Sequence, residues 1–454
     1  MSTDESALTP TEAGATIPHS EPAGGTGSLE AASGKASGIR RLLLILGPGF
    51  ITGASDDDPS GIGTYAMAGA ALGYRTLWMA LFTFPLMVAV QFICAKIGMV
   101  TGRGLAGVLR QHYGKTLLYP AVLGLVIANT INAAADLGAI AAAINLIVPI
   151  RIVYLILPVS AGILVLQLFC SYRTIANTFK WLTLALLAYI GSSFFAHPHL
   201  PDVLRGTFIP GFPMDGKSLS IIVAILGTTI SPYLFFWQSN QEVEEQIAMG
   251  RTTLKQRKGA TNSELKYAAW DVAIGMFFSN AVMYFIILAT AATLFQAGKR
   301  DIQSATDAAQ ALAPIAGNAA KYLLAVGLIG AGLLAVPILT GSSAYAVAEC
   351  FGWKHGLNRK LANALEFYGL IAGSTIIAMI LNFVGIDPIK GLFWAAVLNG
   401  MLAPPLLIVI MLVSRNATVM GVRKNGLLLD TLGWLTAGLM GAAAVGLMVT
   451  WKYS

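Results

Sequence analysis

The stretch Gly53-Ala54-Ser55-Asp56-Asp57-Asp58-Pro59-Ser60-Gly61 places three consecutive acids inside an otherwise apolar segment that runs from residue 42 to residue 72. A carboxylate at the middle of a membrane costs about 3 kcal/mol or more, so such acids are retained mainly where they bind an ion or a proton. The proline and glycine that follow free backbone carbonyls, which then become available to coordinate cations. The segment is therefore predicted to be a membrane span with a break at its centre.

The composition indicates a multi-span membrane protein. Hydrophobic residues make up 56% and charged residues 11% of the 454 residues, whereas soluble proteins carry about 25% charged residues. The formal net charge of +7 is therefore no sign of nucleic-acid binding. The three cysteines have no paired or metal-type spacing, and none of the five histidines lies in the middle of an apolar run. We expect neither a disulfide framework nor a zinc site nor a bound cofactor.

The chain divides into two parts by composition. Residues 1–38 are rich in Ser, Thr, Gly, Ala and Pro and are predicted to form a disordered cytoplasmic tail. They lack the apolar core of a secretory signal. Residues 39–454 are predicted to form a single transmembrane domain. We expect a monomer that contacts the lipid bilayer of the plasma membrane, which is the inner membrane in a Gram-negative bacterium.

Eleven apolar runs are long enough to span a bilayer, which needs about 20 mostly apolar residues. They lie near residues 42–72, 76–99, 117–147, 152–170, 174–196, 218–247, 266–295, 319–348, 365–385, 389–413 and 427–451. Two short segments, near 103–114 and 302–313, are predicted to be interfacial or loop helices. The fold class is therefore an all-α membrane protein.

The basic residues predict the orientation of these spans. With a cytoplasmic N-terminus, roughly two thirds of the 29 lysines and arginines fall on the cytoplasmic side, as the positive-inside rule requires. Eleven spans then place the C-terminus outside. The basic loop 251–266 is explained by this bias, and a lipid-binding patch is the alternative interpretation.

A second interrupted span carries Gly227-Thr228-Thr229-Ile230-Ser231-Pro232-Tyr233 at its centre. Spans one and six each begin a block of five, so the blocks 1–5 and 6–10 have opposite orientations. Two broken helices at matching places predict an inverted repeat whose binding site lies where the breaks meet. The alternative is that each proline only kinks its helix, which membrane helices tolerate.

Several motifs in the first span resemble the NRAMP family, whose members read Gly-Pro-Gly, Asp-Pro-Gly-Asn, Ala-Gly-Ala and Phe-Gly-Tyr. The matching residues are Gly47-Pro48-Gly49-Phe50, Asp58-Pro59-Ser60-Gly61, Ala68-Gly69-Ala70 and Leu72-Gly73-Tyr74. Further matches lie at 95–98, 101–102, 135–137, 334–341 and 349–351. The resemblance runs from about residue 42 to the end of the chain. It implies eleven transmembrane helices in a leucine-transporter-type fold with helices 1 and 6 broken, and import of a divalent metal ion.

The sequence departs from the family pattern at positions that carry chemistry. The family's two Asp residues are matched by Asp58 and Asp136. The position of the family's Asn is occupied by Gly61, and that of its Met-Pro-His by Ser231-Pro232-Tyr233. A second family His is replaced by Gln238, and a family Glu by Ala139. In these positions the chain is more similar to the divergent NRAMP-related branch that includes magnesium transporters than to the manganese and iron transporters.

These departures change the kind of ion that the site suits. The Met thioether is a soft ligand, whereas carboxylate, carbonyl and water suit Mg²⁺, Ca²⁺ and Mn²⁺. Ser231 supplies oxygen in place of sulfur, and Gly61 leaves space. A roomier oxygen site suits a cation that keeps several waters, as Mg²⁺ usually does. We therefore predict a hard divalent cation, Mg²⁺ or Mn²⁺.

The candidate metal site has Asp58 as its anionic ligand. The supporting oxygens are predicted to be the backbone carbonyls near Ser55 and Thr228 and the hydroxyls of Thr229 and Ser231. Gly61 supplies space rather than a side-chain ligand. The alternative for Ser231 is a hydroxyl that bonds back to a helix carbonyl.

The neighbouring acids have less direct roles. Asp56 and Asp57 are predicted to line a vestibule that attracts cations, and Asp57 could instead cap the helix that begins near Pro59. Three such carboxylates do not all stay ionised in a dry site, so water, a cation or a proton must be present. Asp136 is either a proton relay or a structural hydrogen-bond partner. Asn399 is a candidate direct ligand or a partner of a ligand.

The missing histidines and glutamate predict weak or absent proton coupling, with import driven by the membrane potential. One alternative is a proton-coupled Mn²⁺/Fe²⁺ transporter of the NRAMP type, and another is an amino-acid permease on the same fold. A membrane-embedded enzyme is disfavoured because the sequence has no His-Glu-x-x-His, Gly-x-Ser-x-Gly or Walker-type motif.

Acids near the predicted cytoplasmic ends of spans have two interpretations. Glu242, Glu244 and Glu245 could form an exit vestibule for cations, but a solvated helix end that pairs with the following basic loop is favoured. Asp271 and Glu349 are expected to anchor loops.

Overall fold

The computed structural model describes residues 47–170, 174, 184–211, 215–302, 305–385 and 387–451. These residues form helices and connecting turns, and no β-strand occurs among them. The predicted tail, residues 1–38, lies outside these ranges, as do residues 175–183 of the predicted fifth span. Its disorder and its cytoplasmic position stay predictions.

The helices of eight or more residues within the described ranges are numbered here in chain order. They are α1 (Pro48–Asp56), α2 (Pro59–Leu72), α3 (Trp78–Thr101), α4 (Leu105–His112), α5 (Lys115–Ile147), α6 (Ile152–Phe169), α7 (Ala188–Phe195), α8 (Leu200–Phe208), α9 (Gly216–Thr229), α10 (Pro232–Ala248), α11 (Asn262–Thr290), α12 (Ala320–Phe351), α13 (Leu365–Leu381), α14 (Pro388–Arg415) and α15 (Leu427–Trp451). Shorter α-helices cover Leu254–Arg257, Ala305–Ala309, Ala313–Ala316 and Ala417–Met420.

Nine helices of the described chain are long and apolar enough to cross a membrane. They coincide with nine of the predicted runs. The first predicted run is divided between α1 and α2, and the fifth is only partly described, so the count of eleven spans stays a prediction. The two segments predicted as short helices contain α4 and Ala305–Ala309.

The outer helices present apolar side chains to their surroundings. In the most apolar 18-residue stretch of α6, only 28% of the residues are buried inside the protein. The corresponding value for the span formed by α9 and α10 is 89%. Leu157 and Phe169 on α6 and Val445 on α15 are among the large exposed hydrophobic residues. Such a surface is stable in lipid rather than in water, which confirms that the chain is a membrane protein.

Both predicted breaks are present. In the first, α1 ends at Asp56 and α2 begins at Pro59, which takes the first helical position that proline favours. The carboxylate of Asp58 accepts a hydrogen bond from the backbone N–H of Gly61 and caps α2. The prediction that Asp57 provides this cap is therefore wrong, because the residue directly before the proline occupies the capping position.

The second break lies between α9 and α10. Helix α9 ends at Thr229, and α10 begins at Pro232, again with proline at the first helical position. Ile230 and Ser231 between them have non-helical backbone angles. Each break is thus two residues long. The last residue of the break is Asp58 in the first and Ser231 in the second, and a proline follows it in both.

Glycines bring α1 into direct backbone contact with α11. A Cβ atom on Gly53 would lie 2.2 Å from the carbonyl carbon of Gly275, and one on Gly49 would lie 2.6 Å from the backbone nitrogen of Val272. Small residues at such crossings allow membrane helices to approach closely. This contact places the first break beside the middle of α11.

We expect Gly53→Ala to lower the free energy of unfolding by about 1–3 kcal/mol, because the added methyl group must displace the backbone of α11. Gly369→Ala in α13 is the matched control, since a Cβ there meets nothing within 4 Å. That variant should be neutral or stabilised by up to about 1 kcal/mol. Thermal unfolding of the detergent-solubilised protein measures both, and equal melting temperatures would contradict the close crossing.

Candidate cation-binding site

The two helix breaks lie against each other. A Cβ atom on Gly61, in the first turn of α2, would lie 3.0 Å from the hydroxyl oxygen of Thr228 in α9. The hydroxyl of Tyr233 in α10 donates to the backbone carbonyl of Ser55 in α1, at 3.2 Å. The structure therefore brings together the residues around positions 58 and 231, as the pattern of two breaks predicts.

Asp58 is buried and its carboxylate is held by three donors. The Oδ1 atom accepts hydrogen bonds from the backbone N–H of Gly61 at 2.7 Å and from the hydroxyl of Ser60 at 2.6 Å. The Oδ2 atom accepts one from the side-chain amide of Asn132 on α5, at 2.9 Å. These bonds fix the direction of the carboxylate. Oδ1 already accepts two hydrogen bonds, whereas Oδ2 keeps a lone pair for a further ligand.

Asp56 and Asp57 share one donor on α11. The hydroxyl of Ser279 donates to Oδ2 of Asp56 at 2.6 Å and lies 3.3 Å from Oδ1 of Asp57. A serine has a single hydroxyl hydrogen, so it satisfies only one of them at a time. The Oδ1 atom of Asp56 is buried and has no hydrogen-bond partner. This pair is therefore left short of donors.

Asp136 lies on α5 one turn after Asn132, and its charge interacts with that of Asp58. Both of its carboxylate oxygens are buried and make no hydrogen bond of normal geometry, although the backbone N–H of Ser60 lies near enough to stabilise its charge. Both predicted roles of Asp136, as a proton relay and as a structural hydrogen-bond partner, stay predictions.

The four acids Asp56, Asp57, Asp58 and Asp136 form what we call the midplane cluster. All four are buried. The ion pairs recorded for the described residues join other side chains, such as Lys217 with Asp301 and Arg415 with Asp430. A buried carboxylate without a basic partner is costly, so this cluster needs protons, water or a cation.

Uncharged oxygens complete the surroundings of the cluster. The hydroxyl oxygen of Thr228 and the side-chain oxygen of Asn399 are buried and have no hydrogen-bond partner. Helix α14, which carries Asn399, touches the second break, because a Cβ on Gly227 would lie 2.2 Å from the backbone nitrogen of Gly400. Within the described ranges, no three His, Cys, Asp or Glu side chains are arranged to hold a metal ion together. Any cation here would therefore rely on hydroxyl, amide, carbonyl and water oxygens as well as carboxylate.

The predicted ligand oxygens take part in hydrogen bonds within the breaks. The backbone carbonyl of Ser55 accepts from the hydroxyl of Tyr233. The two predicted hydroxyls donate to helix carbonyls, Ser231 to that of Thr228 at 2.6 Å and Thr229 to that of Ile225 at 2.6 Å. This is the alternative geometry that the sequence left open for Ser231. The oxygen lone pairs are not used by these bonds, so the role of the hydroxyls as ligands stays a prediction.

Sequence reasoning did not identify several residues of this site. Ser279 donates to Asp56 although 223 positions separate them. Asn132 lies four residues before Asp136, and this helical spacing is a signal that places both side chains on one face of α5. The hydroxyl of Tyr65 lies 3.4 Å from that of Thr229 and joins the two broken helices from the other side.

Two glutamates of α10 contradict the prediction of a solvated helix end. Glu242 and Glu244 are buried. Glu244 accepts hydrogen bonds from the hydroxyl of Tyr345 at 3.0 Å and from the amide of Asn358 at 3.1 Å. Glu242 accepts from the amide of Gln238 in the same helix, and the charge of Glu244 also interacts with that of Arg257 in the basic loop.

The other two acids do act as anchors. Glu349 accepts hydrogen bonds from the backbone N–H groups of Gly104 and Gly107, at 2.7 and 3.0 Å, and so fixes the connection between α3 and α4. Asp271 accepts bonds from the first backbone N–H groups of the described chain, and thereby holds the start of α1.

The sequence of residues 49–450 matches the family described as natural resistance-associated macrophage protein-like. The divalent metal cation transporter MntH of Bacillus subtilis (strain 168) is 27% identical over 427 residues, which cover 92% of this chain and 95% of that protein.

Solved structures of transporters have a similar fold. The manganese transporter of Eremococcus coleocola matches with a TM-score of 0.73 and 18% identity, over 90% of this chain and 87% of that one. A nucleobase-cation-symport-1 family transporter in a closed conformation matches with a TM-score of 0.55 and 15% identity, over 89% and 90% of the two chains. These leucine-transporter-like neighbours agree with the predicted fold class, while the repeat of spans 1–5 and 6–10 stays a prediction.

We expect Ser279→Ala to lower the free energy of unfolding by about 1–3 kcal/mol, because Asp56 loses the hydrogen bond described above and has no other donor. Ser263→Ala, at an exposed position in the first turn of the same helix, is the control and should change it by less than about 0.5 kcal/mol. Melting temperatures of the purified variants test this. A stability of Ser279→Ala equal to that of the control would show that the acids do not need this donor.

Proposed function

Because the chain belongs to the natural resistance-associated macrophage protein-like (NRAMP) family, we propose that it transports a hard divalent metal cation across the plasma membrane. The observation that carries this proposal is the midplane cluster, in which four buried carboxylates lie beside two helix breaks and have no basic partner in the described ion pairs. The relatives named above are transporters rather than enzymes, and the metal ion is the substrate rather than a cofactor.

The electrostatics of the cluster favour a cation. Moving several carboxylates out of water is unfavourable unless opposite charge and hydrogen bonds compensate. The described donors satisfy Asp58 but leave one oxygen of Asp56 without a partner, and Asp136 has at most the backbone N–H of Ser60. A divalent cation with its waters would supply the missing charge and donors together.

The donor set supports a hard ion. Mg²⁺ and Mn²⁺ accept carboxylate, hydroxyl, carbonyl and water oxygens, and the position that carries the family's Met sulfur is Ser231 here. Gly61 allows the first turn of α2 to pack closely against the hydroxyl of Thr228 and the backbone carbonyl of Asp56, which a Cβ would approach to 3.0 and 3.5 Å. A side chain at this position would crowd both oxygens. The named relatives are a divalent metal cation transporter and a manganese transporter, so Mn²⁺ is one substrate and Mg²⁺ is the further substrate that we propose.

In this proposal Asp58 is the principal anionic ligand. Asp56 and Asp57 attract the cation toward Asp58. Asn399 and Thr228 supply uncharged oxygens, and Asp136 on α5 adds negative charge that offsets the charge of the cation. The proposed absence of proton coupling is supported by Tyr233 and Gln238, which occupy positions where the family has histidines. Tyr233 uses its hydroxyl to join the two breaks, and it is not a proton carrier near neutral pH.

The amino-acid permease alternative receives less support. Such a carrier binds the substrate carboxylate at a free helix N-terminus. The N-terminus of α2 is already capped by the carboxylate of Asp58, and the acids beside it would repel an anionic substrate. The monomeric state, the cytoplasmic N-terminus and the external C-terminus remain part of the proposal.

Asp58→Ala should abolish uptake of Mn²⁺ and Mg²⁺ into proteoliposomes, whereas Asp56→Ala should reduce it less. The matched control is Asp387→Ala, because Asp387 also caps a helix by accepting from backbone N–H groups, but lies at an exposed position. This control loses a cap, worth about 1 kcal/mol, without losing a buried carboxylate, and should keep normal uptake. Uptake by Asp58→Ala equal to that of the parent protein would overturn the assignment.

Proton coupling has its own test. Proteoliposomes that contain a pH-sensitive dye should show little acidification during metal uptake, and an inside-negative potential should increase the uptake rate at both pH 6 and pH 8. The physical reason is that a cation moved without a proton responds to the membrane potential alone, about 2.3 kcal/mol per charge per 100 mV. Acidification that requires external metal and disappears in Asp58→Ala would instead establish proton coupling.

A further inference from the structure

The nine-residue helix α8 (Leu200–Phe208) carries a row of exposed apolar side chains. Leu200, Leu204 and Phe208 are large and apolar, yet they are 68%, 57% and 62% exposed. With about 3.6 residues per turn, their spacing of four places them within about 80° of arc around the helix. They therefore form one continuous stripe, which we call the apolar face of α8.

The rest of α8 has two further sides. Val203 and Gly206 are buried, and they lie on the side that packs against the protein. Asp202 and Arg205 are exposed, and they lie on a third side, between the apolar face and the protein. A helix with separate protein-facing, apolar and charged sides fits a position in the membrane–water interface, where it meets protein, lipid and water at once.

The buried side of α8 packs against the turn that follows α2. A Cβ atom on Gly206 would lie 2.2 Å from the backbone carbonyl oxygen of Tyr74, which belongs to the one-turn helix Gly73–Thr76. The hydroxyl of Thr207 lies 3.0 Å from that of Tyr284 on α11. Tyrosines are enriched at the level of the lipid headgroups. Helix α8 is therefore fixed beside two tyrosines, at the end of the protein where the broken first span finishes.

Aromatic side chains connect α8 with the exposed surface of a neighbouring helix. Phe194, near the end of α7, is 68% exposed, and its ring centroid lies 6.4 Å from that of Phe285 on α11. The ring of Phe285 lies 5.4 Å, centroid to centroid, from that of Tyr284, which contacts α8. The apolar face of α8 thus continues an apolar surface of the membrane helices. Because lipid covers such a surface, lipid is also the occupant that fits its continuation on α8.

We propose that α8 is an interfacial helix whose apolar face docks into the lipid leaflet on the side that the basic residues predict to be external. Its three apolar side chains enter the boundary between headgroups and acyl chains, while Asp202 and Arg205 stay in water. Because Gly206 brings the backbone of α8 against Tyr74, this docking also supports the turn at the end of α2. The inference is independent of which ion the protein transports.

Spin labels measure whether lipid covers the apolar face. One label is attached through Leu204→Cys, and the matched control through Arg205→Cys on the charged side. Both use a Cys170→Ser background, since Cys94 and Cys350 are buried. In nanodiscs that hold one chain each, collisions with molecular oxygen, which concentrates in lipid, are compared with those of a water-soluble nickel chelate. The ratio of oxygen to nickel collisions should be at least about threefold higher at position 204 than at position 205.

Three results would overturn the docking of α8 into lipid. A ratio at position 204 equal to or below that at position 205 would show that water covers the apolar face. Few collisions of the label at position 204 with either reagent would show that another part of the chain covers it. Oxygen collisions that are lost in nanodiscs holding two chains would assign the face to a second copy of the protein.

Hydrogen exchange tests the support of the turn at the end of α2. In nanodiscs, Leu204→Glu should accelerate amide exchange at residues 73–77 at least about threefold, because a charge on the apolar face lifts α8 out of the lipid. Arg205→Glu introduces the same residue on the charged side and should leave this exchange as it is in the parent. Equal exchange in the two variants would overturn the proposed support, whatever the spin labels show about lipid.

Discussion

The burial of four carboxylates that have no basic partner among the described residues is the constraint on which the rest of this structure depends. In the membrane interior their charge is unfavourable unless something compensates for lost hydration. The fold compensates partly, since α2 begins at Asp58 and its first N–H groups and positive dipole end face that carboxylate. Asp56 and Asp136 receive less, because one oxygen of Asp56 meets no donor in the described structure and Asp136 has at most the backbone N–H of Ser60. In the proposed function, a cation at the point where both broken helices meet supplies the missing compensation.

The short helix α1 is positioned by two kinds of contact. Its glycines lie directly against Gly275 of α11, and the amides at its start are held by Asp271 of the same helix. Only two residues join it to α2, and neither is helical. Helix α1 is thus held against α11 independently of α2, which keeps its own cap from Asp58.

The second broken helix shows how changes at a few positions alter a site without altering the fold. Tyr233 replaces a family histidine and uses its hydroxyl to hold the carbonyl of Ser55, so one substitution exchanges a titratable ring for a contact between the two breaks. Ser231 replaces a soft sulfur by an oxygen that donates to a helix carbonyl. Gln238 replaces a second histidine and donates its amide N–H to Glu242. In the proposed function, the loss of the sulfur makes the ligand set harder, and the loss of the two histidines removes proton carriers.

The sequence by itself determined the membrane class, the helix pattern and both breaks, because apolar run length and the prolines at 59 and 232 act on neighbouring residues. It also located the acids at the first break. It did not determine which residues surround them. Ser279 reaches Asp56 across 223 positions and Asn132 reaches Asp58 across 74, and no periodicity along the chain encodes such pairs. The polar residues around Glu242 and Glu244 in the sequence indicated exposure. Their burial results from the packing of α10 among other helices. Local composition determines whether a segment forms a membrane helix or a break. The hydrogen-bond partners of a buried charge depend on which distant segments pack against it.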